Sequence, residues 1–428
     1  MEELSVSVPD WANITNDLLR SIADKTCSVK DVVRMIAACR SWQASLVDKK
    51  INFPVCLKLA ETEDSDKRCF YSITKEMFEL DLPEIRGRRC WGSPFGWLVT
   101  CGIDLEMQLF NPLTRASLPL PSLRTFHDYD NEEWIDRPPE EYCMYYLRKL
   151  ILCSSPEASE SDCIVLGQYS RYFFAFAKPG DKTWSKIDNV QGHDAIYFKG
   201  NLYVSRNNGE IFVCEDLYGA HPIAVQFAPS PPHHFDRAYL FDLAGNLCVV
   251  ARDVLPDDDD NYDEPVETIE FKIFKLDMHT KSWEEIFSLG DKCLFLGNCC
   301  TFVVAAADYP GCRPNCIYFT DDITEYYDKE TGATDIGIYD CKNIKLDIGK
   351  RYENGEDVGM YLEGLVDRFP NSEDIQHLLL SPLFQPLWII PYSHVSHYVT
   401  FLALVKFFTV RILEKFLGSP VNGRHQKS

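Results

Sequence analysis

AIYFKGNLYVS at residues 195–205 and AYLFDLAGNLCVVA at residues 238–251 are the two similar stretches that decide the fold. In each, two runs of aromatic and β-branched residues flank a turn that ends in Gly-Asn, which predicts a β-hairpin. Residues 210–214, EIFVC, follow the first hairpin and predict a third strand. Because the Gly-Asn-Leu turns begin at Gly200 and Gly245, the hairpin plan recurs after 45 residues and indicates a repeated all-β architecture.

A strand–turn–strand element also recurs along the chain. It consists of a strand with an aromatic residue, a polar turn and a second strand that begins with Trp or Leu. Examples are FAKPGDKTWSKI at 176–187 and FKLDMHTKSWEEI at 274–286. Further copies lie at 109–118, 212–225 and 338–346. A hairpin joined to this element makes a four-stranded meander, and such meanders at intervals of roughly 45–65 residues predict a β-propeller of about six blades. We expect Trp184 and Trp283 to pack between neighbouring blades.

The N-terminal residues 9–50 carry more apolar surface than one small helical segment can bury against itself. Ser28 and Asp31 have capping-box spacing and predict a helix that begins near Val29. Its two apolar stripes, about 120° apart, are Val29, Val32, Val33, Ile36 and Ala37, and Met35, Cys39, Trp42 and Leu46. One stripe can cover an earlier helix that carries Leu18, Leu19, Ile22 and Ala23. The other stripe needs the rest of the chain or another protein.

The composition limits the classes of partner and the compartment. The 428 residues include 43 Lys or Arg and 65 Asp or Glu, and the formal net charge of −22 argues against nucleic acid and anionic membrane surfaces as partners. The 17 cysteines are odd in number and lack the spacing of a disulfide framework, and residues 1–17 lack the apolar core of a signal peptide. We therefore expect a reduced compartment, the cytoplasm and/or the nucleus.

None of the common catalytic motifs occurs in the sequence. It has no P-loop, no G-x-G-x-x-G, no G-x-S-x-G and no H-E-x-x-H. Cys312 and Cys316 are loosely spaced and lack the second ligand pair of a zinc site. We therefore expect no catalytic residue, no cofactor and no metal ion, and keep a ligand or an enzymatic activity at the centre of the propeller as an alternative.

Residues 392–428 form a tail that does not fit the blade plan. Within it, residues 398–417, YVTFLALVKFFTVRILEKFL, are long enough to span a bilayer. Lys406 and Arg411 lie inside this stretch, and each would cost about 2.5–3.5 kcal/mol near the bilayer centre. We therefore expect an amphipathic helix and keep a membrane tether as the alternative.

The N-terminal segment resembles an F-box. The residues that carry the resemblance are Asp17-Leu18-Leu19, Ile22, Asp31-Val32-Val33, Met35-Ile36 and Cys39-Arg-Ser-Trp42. Ile14-Thr15 stands where the family pattern has Leu-Pro.

The β region resembles the Kelch-like propeller that follows the F-box in plant proteins of the KIB type. The supporting stretches are WGSPFGWL at 91–98, LFNPLTR at 109–115, GCRPNCIYFTDD at 311–322 and QPLWIIP at 385–391. The two resemblances imply a mainly β chain with a small all-α N-terminal module. They place the F-box at 9–50 and the Kelch-like β-propeller at 51–391, ahead of a helical tail at 392–428.

F-box proteins of this kind resemble substrate receptors of SCF-type ubiquitin ligases. The resemblance implies that the F-box binds a Skp-type adaptor and through it a cullin, while the propeller holds an unknown target protein. The adaptor contacts that it implies are Ile14, Leu18, Leu19, Ile22, Val32, Val33, Ile36, Cys39, Trp42 and Leu46. Some of these must form the core of the module itself, and the aromatic Trp42 is the best single interface candidate.

Overall fold

The structure, a computed structural model, describes residues 14–25, 35, 38, 40–46, 54–58, 65–75, 77–126, 137–157, 163–170, 172–219, 221–233, 236–255, 267–320, 335–343, 345–348 and 387–389. The chain divides into two compact units between Asn52 and Phe53. The first contains the helices α1 (Asn16–Lys25) and α2 (Arg40–Leu46), and the second is mainly β. The predicted helix start near Val29 and the predicted tail at 392–428 lie outside the described residues, so the predicted domain limits stay a prediction.

The described part of the second unit forms six sheets, which we call blades 1 to 6. Blade 1 contains β1 (Cys56–Lys58), β2 (Lys67–Ser72), β3 (Met77–Asp81) and the late strand β25 (Leu387–Ile389). Blade 2 contains β4 (Arg88–Trp91), β5 (Leu98–Gly102), β6 (Met107–Phe110) and β7 (Ser117–Leu120). Blade 3 contains β8 (Leu147–Leu152), β9 (Val165–Tyr169), β10 (Phe173–Ala177) and β11 (Ser185–Gln191).

The remaining three blades follow in chain order. Blade 4 contains β12 (Asp194–Phe198), β13 (Asn201–Ser205), β14 (Ile211–Cys214) and β15 (Val225–Ala228). Blade 5 contains β16 (Arg237–Leu243), β17 (Asn246–Leu255), β18 (Glu267–Leu276) and β19 (Trp283–Ile286). Blade 6 contains β20 (Lys292–Leu296), β21 (Phe302–Ala305), β22 (Cys316–Phe319), β23 (Gly337–Asp340) and β24 (Lys345–Ile348). The predicted propeller of about six blades is therefore confirmed.

Short helical turns connect some of these strands. The described ones are the 3₁₀ turns Pro83–Ile85, Leu123–Thr125 and Ala306–Asp308, the single α-turn Pro139–Glu141 and the π-helical turn Tyr142–Tyr146.

Both Gly-Asn hairpins of the sequence are present, and they share one turn conformation. Lys199 and Gly200 join β12 to β13 with φ angles of 48° and 89°, and Ala244 and Gly245 join β16 to β17 with 51° and 81°. A two-residue loop with both φ angles positive matches the twist of the strands it joins, and glycine adopts this conformation without a steric cost. The local sequence therefore determines these turns.

In two copies of the strand–turn–strand element, an acidic or amide side chain stands at the start of the turn. The Oδ1 atom of Asn111 accepts hydrogen bonds from the amides of Leu113 and Thr114, both at 3.0 Å. Asp277 Oδ1 accepts them from His279 and Thr280 at 2.8 and 3.0 Å. These Asx turns reverse the chain between β6 and β7 and between β18 and β19.

The tryptophans that open outer strands pack between blades, as the sequence predicts. Trp184, just before β11, stacks on Phe126 with ring centroids 4.5 Å apart and donates from Nε1 to the Pro121 carbonyl at 3.0 Å. Trp283 of blade 5 donates from Nε1 to the Pro229 carbonyl, behind blade 4, at 2.6 Å. Each ring therefore ties its own blade to the preceding one.

Two features depart from a simple four-stranded meander. Blade 6 has five strands in the order β21-β20-β22-β23-β24, and β20 runs parallel to β22. A parallel pair needs a crossover rather than a hairpin, and the chain supplies it through β21 and the turn at Ala306–Asp308. In blade 1, β25 pairs antiparallel with β1, with Trp388 opposite Leu57, so strands from opposite ends of the domain share one sheet.

Candidate functional site

The two described helices of the N-terminal unit pack against each other through small and branched apolar side chains. Leu19 and Ala23 of α1 meet Leu46 of α2, and all three are almost fully buried. The Ser45 hydroxyl donates to Asn16 Oδ1 at 2.6 Å, and Arg20 Nε donates to the Ser45 carbonyl at 3.0 Å. This side of α1 is therefore the core of the module.

A neighbouring face of α1, about 100° around the helix from the core side, exposes apolar surface. Leu18 is 53% exposed and Ile22 is 38% exposed, and their spacing of four residues places them one turn apart on the same face. The neighbouring Asp17 and Arg20 are also exposed. An apolar pair with a charged border is typical of a protein-docking surface.

The predicted adaptor contacts thus fall into groups with different surroundings. Leu19 and Leu46 lie in the module core, while Ile14 and Trp42 are half-buried against it. Leu18 and Ile22 are the exposed members, and the structure brings them together on α1. Outside the described residues lie Val32, Val33, Ile36 and Cys39.

The propeller has a cavity of about 350 Å³ at its centre. Its walls come from blades 3 to 6 and from the loop that follows β4 of blade 2. The lining residues include Phe95, Ile151, Leu152, Cys153, Ala195, Tyr197, Asp242, Lys292, Cys300, Thr301 and Phe302. A cavity of this volume with mixed polar and apolar walls is of the kind that holds small ligands or single side chains of a partner.

The cysteines in the cavity wall are poor nucleophiles. Burial raises the pKa of Cys300 to about 12, and burial together with the nearby Cys300 raises the pKa of Cys153. Both thiols are therefore protonated at neutral pH, whereas nucleophilic attack requires the thiolate. These two thiols are therefore poorly suited to act as nucleophiles.

Buried charged groups join successive blades behind the cavity wall. Lys149 of β8 forms an ion pair with Asp194 of β12 at 2.7 Å, and both side chains are at most 5% exposed. Asp194 also accepts from the Leu240 amide of blade 5 at 2.9 Å and from the Thr301 hydroxyl of blade 6 at 3.4 Å. One carboxylate therefore connects four blades.

Two arginines make similar connections elsewhere in the ring. Arg89 of blade 2 donates from Nη1 to the Cys143 and Leu147 carbonyls of blade 3 at 2.6 and 2.7 Å. Arg252 of blade 5 pairs with Asp335 of blade 6 at 2.7 Å. Buried polar groups whose hydrogen bonds are satisfied hold the blades in fixed register. The sequence does not predict these contacts, because a lysine or arginine within a strand does not reveal its distant partner.

A second concave surface lies between blades 5 and 6, with a volume of about 490 Å³. Phe287 at its edge is 74% exposed, and Phe271 and Tyr339 form part of its wall. Burial and the nearby Glu270 carboxylate raise the pKa of Tyr339 to about 12, so its hydroxyl keeps its proton. This groove offers contact area rather than titratable chemistry.

Within the ranges that the structure describes, no three His, Cys, Asp or Glu side chains come together as metal ligands. In the same ranges, the helices are too short or too polar to cross a bilayer. The predicted tail helix at 398–417 lies outside those ranges.

Six described sheets in chain order, and a late strand that completes the first sheet, define the second unit as a β-propeller. The KIB1-4 beta-propeller family matches the chain over residues 70–340. The chain therefore belongs to the KIB1-4 beta-propeller family, and the resemblance to KIB-type propellers seen in the sequence is confirmed.

The relatives of the chain are named as F-box proteins. The F-box protein At2g26160 of Arabidopsis thaliana is 27% identical over 342 residues, which cover 74% of this chain and 96% of the relative. SKIP23, an F-box protein of the same plant, is 22% identical over 79% of this chain and 91% of its own length. The F-box/kelch-repeat protein KIB1 is 25% identical over 57% of each chain.

Proposed function

We propose that the chain is the substrate-recognition subunit of an SCF-type ubiquitin ligase, with no catalytic activity of its own. The observation that carries this proposal is the exposed Leu18 and Ile22 pair on a helical module that precedes a closed propeller. The names of the relatives, which are F-box proteins with matching length, support it.

In this proposal, the helical module is an F-box and its exposed α1 face binds a Skp-type adaptor, which recruits the cullin. Leu18 and Ile22 make direct contacts, whereas the buried Leu19 and Leu46 hold α1 against α2. The propeller binds the target protein. The buried contacts of Arg89, Asp194 and Arg252 between blades keep its surface loops in place. The compartment is the cytoplasm and/or the nucleus.

Co-purification with a Skp-type adaptor tests the first contact. We expect the double substitution Leu18→Ala and Ile22→Ala to weaken adaptor binding by roughly 30-fold or more, since two interface anchors each contribute at least about 1 kcal/mol. Both side chains lie outside the module core, so the helices should still fold. The matched control is Ile103→Ala on the propeller, because Ile103 is also 53% exposed. Equal adaptor recovery with both variants would remove this interface assignment.

The central cavity favours a second candidate function, the binding of a small ligand by the propeller. Its volume of about 350 Å³ and its mixed wall, with Asp242 and Lys292 beside Phe302, support this alternative. Native mass spectrometry of the purified full chain tests it. We expect the wild-type protein to retain a small molecule. The variant Ala195→Trp should lose this molecule, because the larger side chain fills the cavity. A wild-type mass equal to that of the polypeptide alone would argue against ligand binding.

The membrane tether remains a third hypothesis, which rests only on the sequence of residues 398–417. Cell fractionation of the full chain and of a chain that ends at Pro391 tests it. Equal recovery of both in the supernatant would argue against a tether.

A further inference from the structure

Two thiols from neighbouring blades lie in direct contact, and neither belongs to the wall of the cavity described above. Cys101 lies on β5 of blade 2, and Cys143 lies in the π-helical turn that precedes β8 of blade 3. Their Sγ atoms are 3.4 Å apart, and both residues are free cysteines with at most 2% exposure. A separation this short brings the two sulfur atoms within reach of bond formation after a small movement.

The surroundings of the two thiols are unequal. The hydrogen bond from Cys101, together with the positive charge of Arg89, lowers the pKa of Cys143 even though burial acts in the opposite direction. The Asp104 carboxylate, like burial, raises the pKa of Cys143, while the positive charge of Arg88 lowers it. The hydrogen bond to Cys143 and burial raise the pKa of Cys101. Cys143 is therefore the better nucleophile of the pair, and Cys101 is placed to react second.

The turn that carries Cys143 offers a route for a small reagent. Residues Tyr142–Tyr146 form a π-helical turn, a conformation that is rare in proteins. The preceding Pro139 and Glu140 are exposed. Tyr142, Cys143 and Tyr146 of the turn are buried, so a molecule as small as hydrogen peroxide reaches the thiol through a local opening of the turn, which costs less free energy than global unfolding.

We propose that Cys101 and Cys143 form an oxidation site at which hydrogen peroxide produces a reversible disulfide between blades 2 and 3. In the first step, the Cys143 thiolate attacks the peroxide, so that an S–O bond forms and the O–O bond breaks. The products are a sulfenic acid and hydroxide, and the hydroxide takes up the proton that Cys143 released. In the second step, the sulfur of Cys101 attacks the sulfenic sulfur, the S–S bond forms and the S–O bond breaks, and the hydroxide that leaves takes the Cys101 proton. Two thiols lose two electrons and the peroxide becomes two water molecules.

The disulfide would connect blades that are otherwise held by non-covalent contacts. It closes a loop of roughly forty residues, which reduces the entropy of the unfolded chain. We therefore expect the oxidised protein to unfold at a higher temperature than the reduced protein. Both cysteines lie in the propeller, and their oxidation does not depend on adaptor binding.

Peptide mapping of the full chain after treatment with hydrogen peroxide tests the proposal. The reduced protein is exposed to a few equivalents of peroxide, its remaining thiols are alkylated, and its peptides are analysed by mass spectrometry. We expect a linked Cys101–Cys143 peptide pair that dithiothreitol separates, and a rise in the unfolding temperature that the same reductant reverses.

Three variants distinguish the roles of the two thiols. Cys101→Ala should leave a sulfenic acid at Cys143 that dimedone traps, whereas Cys143→Ala should abolish the linked pair. Cys248→Ala is the matched control, because Cys248 is equally buried and its raised pKa of about 12 keeps it a thiol. The wild-type mapping needs no variant to fold. Oxidation of other cysteines while Cys101 and Cys143 stay reduced, or a linked pair at other positions, would overturn the proposal.

Discussion

Asp194 shows how one side chain can support several blades. Its carboxylate pairs with Lys149 and accepts hydrogen bonds from Leu240 and Thr301, so four blades meet at one buried anion. The interior can hold this charge because an opposite charge and two further donors surround it. Removing the carboxylate would leave the Lys149 ammonium without its buried counter-charge.

We therefore expect Asp194→Ala to lower the free energy of unfolding by about 3–5 kcal/mol. Glu79→Ala is the matched control, since the Lys67–Glu79 pair at 3.1 Å is largely exposed and should contribute at most about 1 kcal/mol. Urea unfolding followed by tryptophan fluorescence measures both. Similar losses of unfolding free energy in the two variants would show that the buried ion pair contributes no more to stability than the exposed one.

At the scale of elements, local sequence predicts the hairpins well and their long-range neighbours poorly. The turns at Gly200 and Gly245 and the strand pairs at 109–118 and 274–286 are present as predicted, because their conformation depends on residues a few positions apart. The parallel pair of β20 and β22 was not predicted, because apolar runs do not carry strand direction.

The strand β25 comes from the far end of the described chain. Its pairing with β1 completes blade 1, and without it β1 would present an unpaired edge. We expect a chain that ends at Pro386 to lose cooperative unfolding and to aggregate, whereas a chain that ends at Pro391 and keeps β25 should retain it. Thermal unfolding monitored by circular dichroism compares the two chains. Equal unfolding temperatures would show that the ring does not need this closing strand.

At the scale of the whole molecule, the propeller buries many thiols in different blades. Burial raises the pKa of Cys248, Cys300 and Cys341 to about 12, from 9.0 for the unperturbed group. In the folded state these groups keep protons that the unfolded chain releases above pH 9. Their stabilising effect is therefore complete below about pH 9 and is lost as the pH rises toward 12.

We accordingly expect the urea midpoint of the reduced protein to fall between about pH 9 and pH 11. Cys248→Ala should make this decrease smaller, because it removes one of the protons that the unfolded chain releases. The measurement needs a reducing agent at every pH so that oxidation does not contribute. A midpoint that does not change over this interval would contradict the burial of the thiols.

By itself, the sequence determined the class of fold, the hairpins and the turns, since alternating apolar residues and glycine at positive φ act over a few neighbouring positions. It also pointed to residues 9–50 as a docking module, because that segment has more apolar surface than it can bury. Only the tertiary structure decided that Leu18 and Ile22 are exposed while Leu19 and Leu46 are buried. It likewise decided the cavity, the Asp194 connections and the contact between Cys101 and Cys143. These features join residues far apart in the chain, and their positions follow from the packing of whole blades and helices rather than from local sequence.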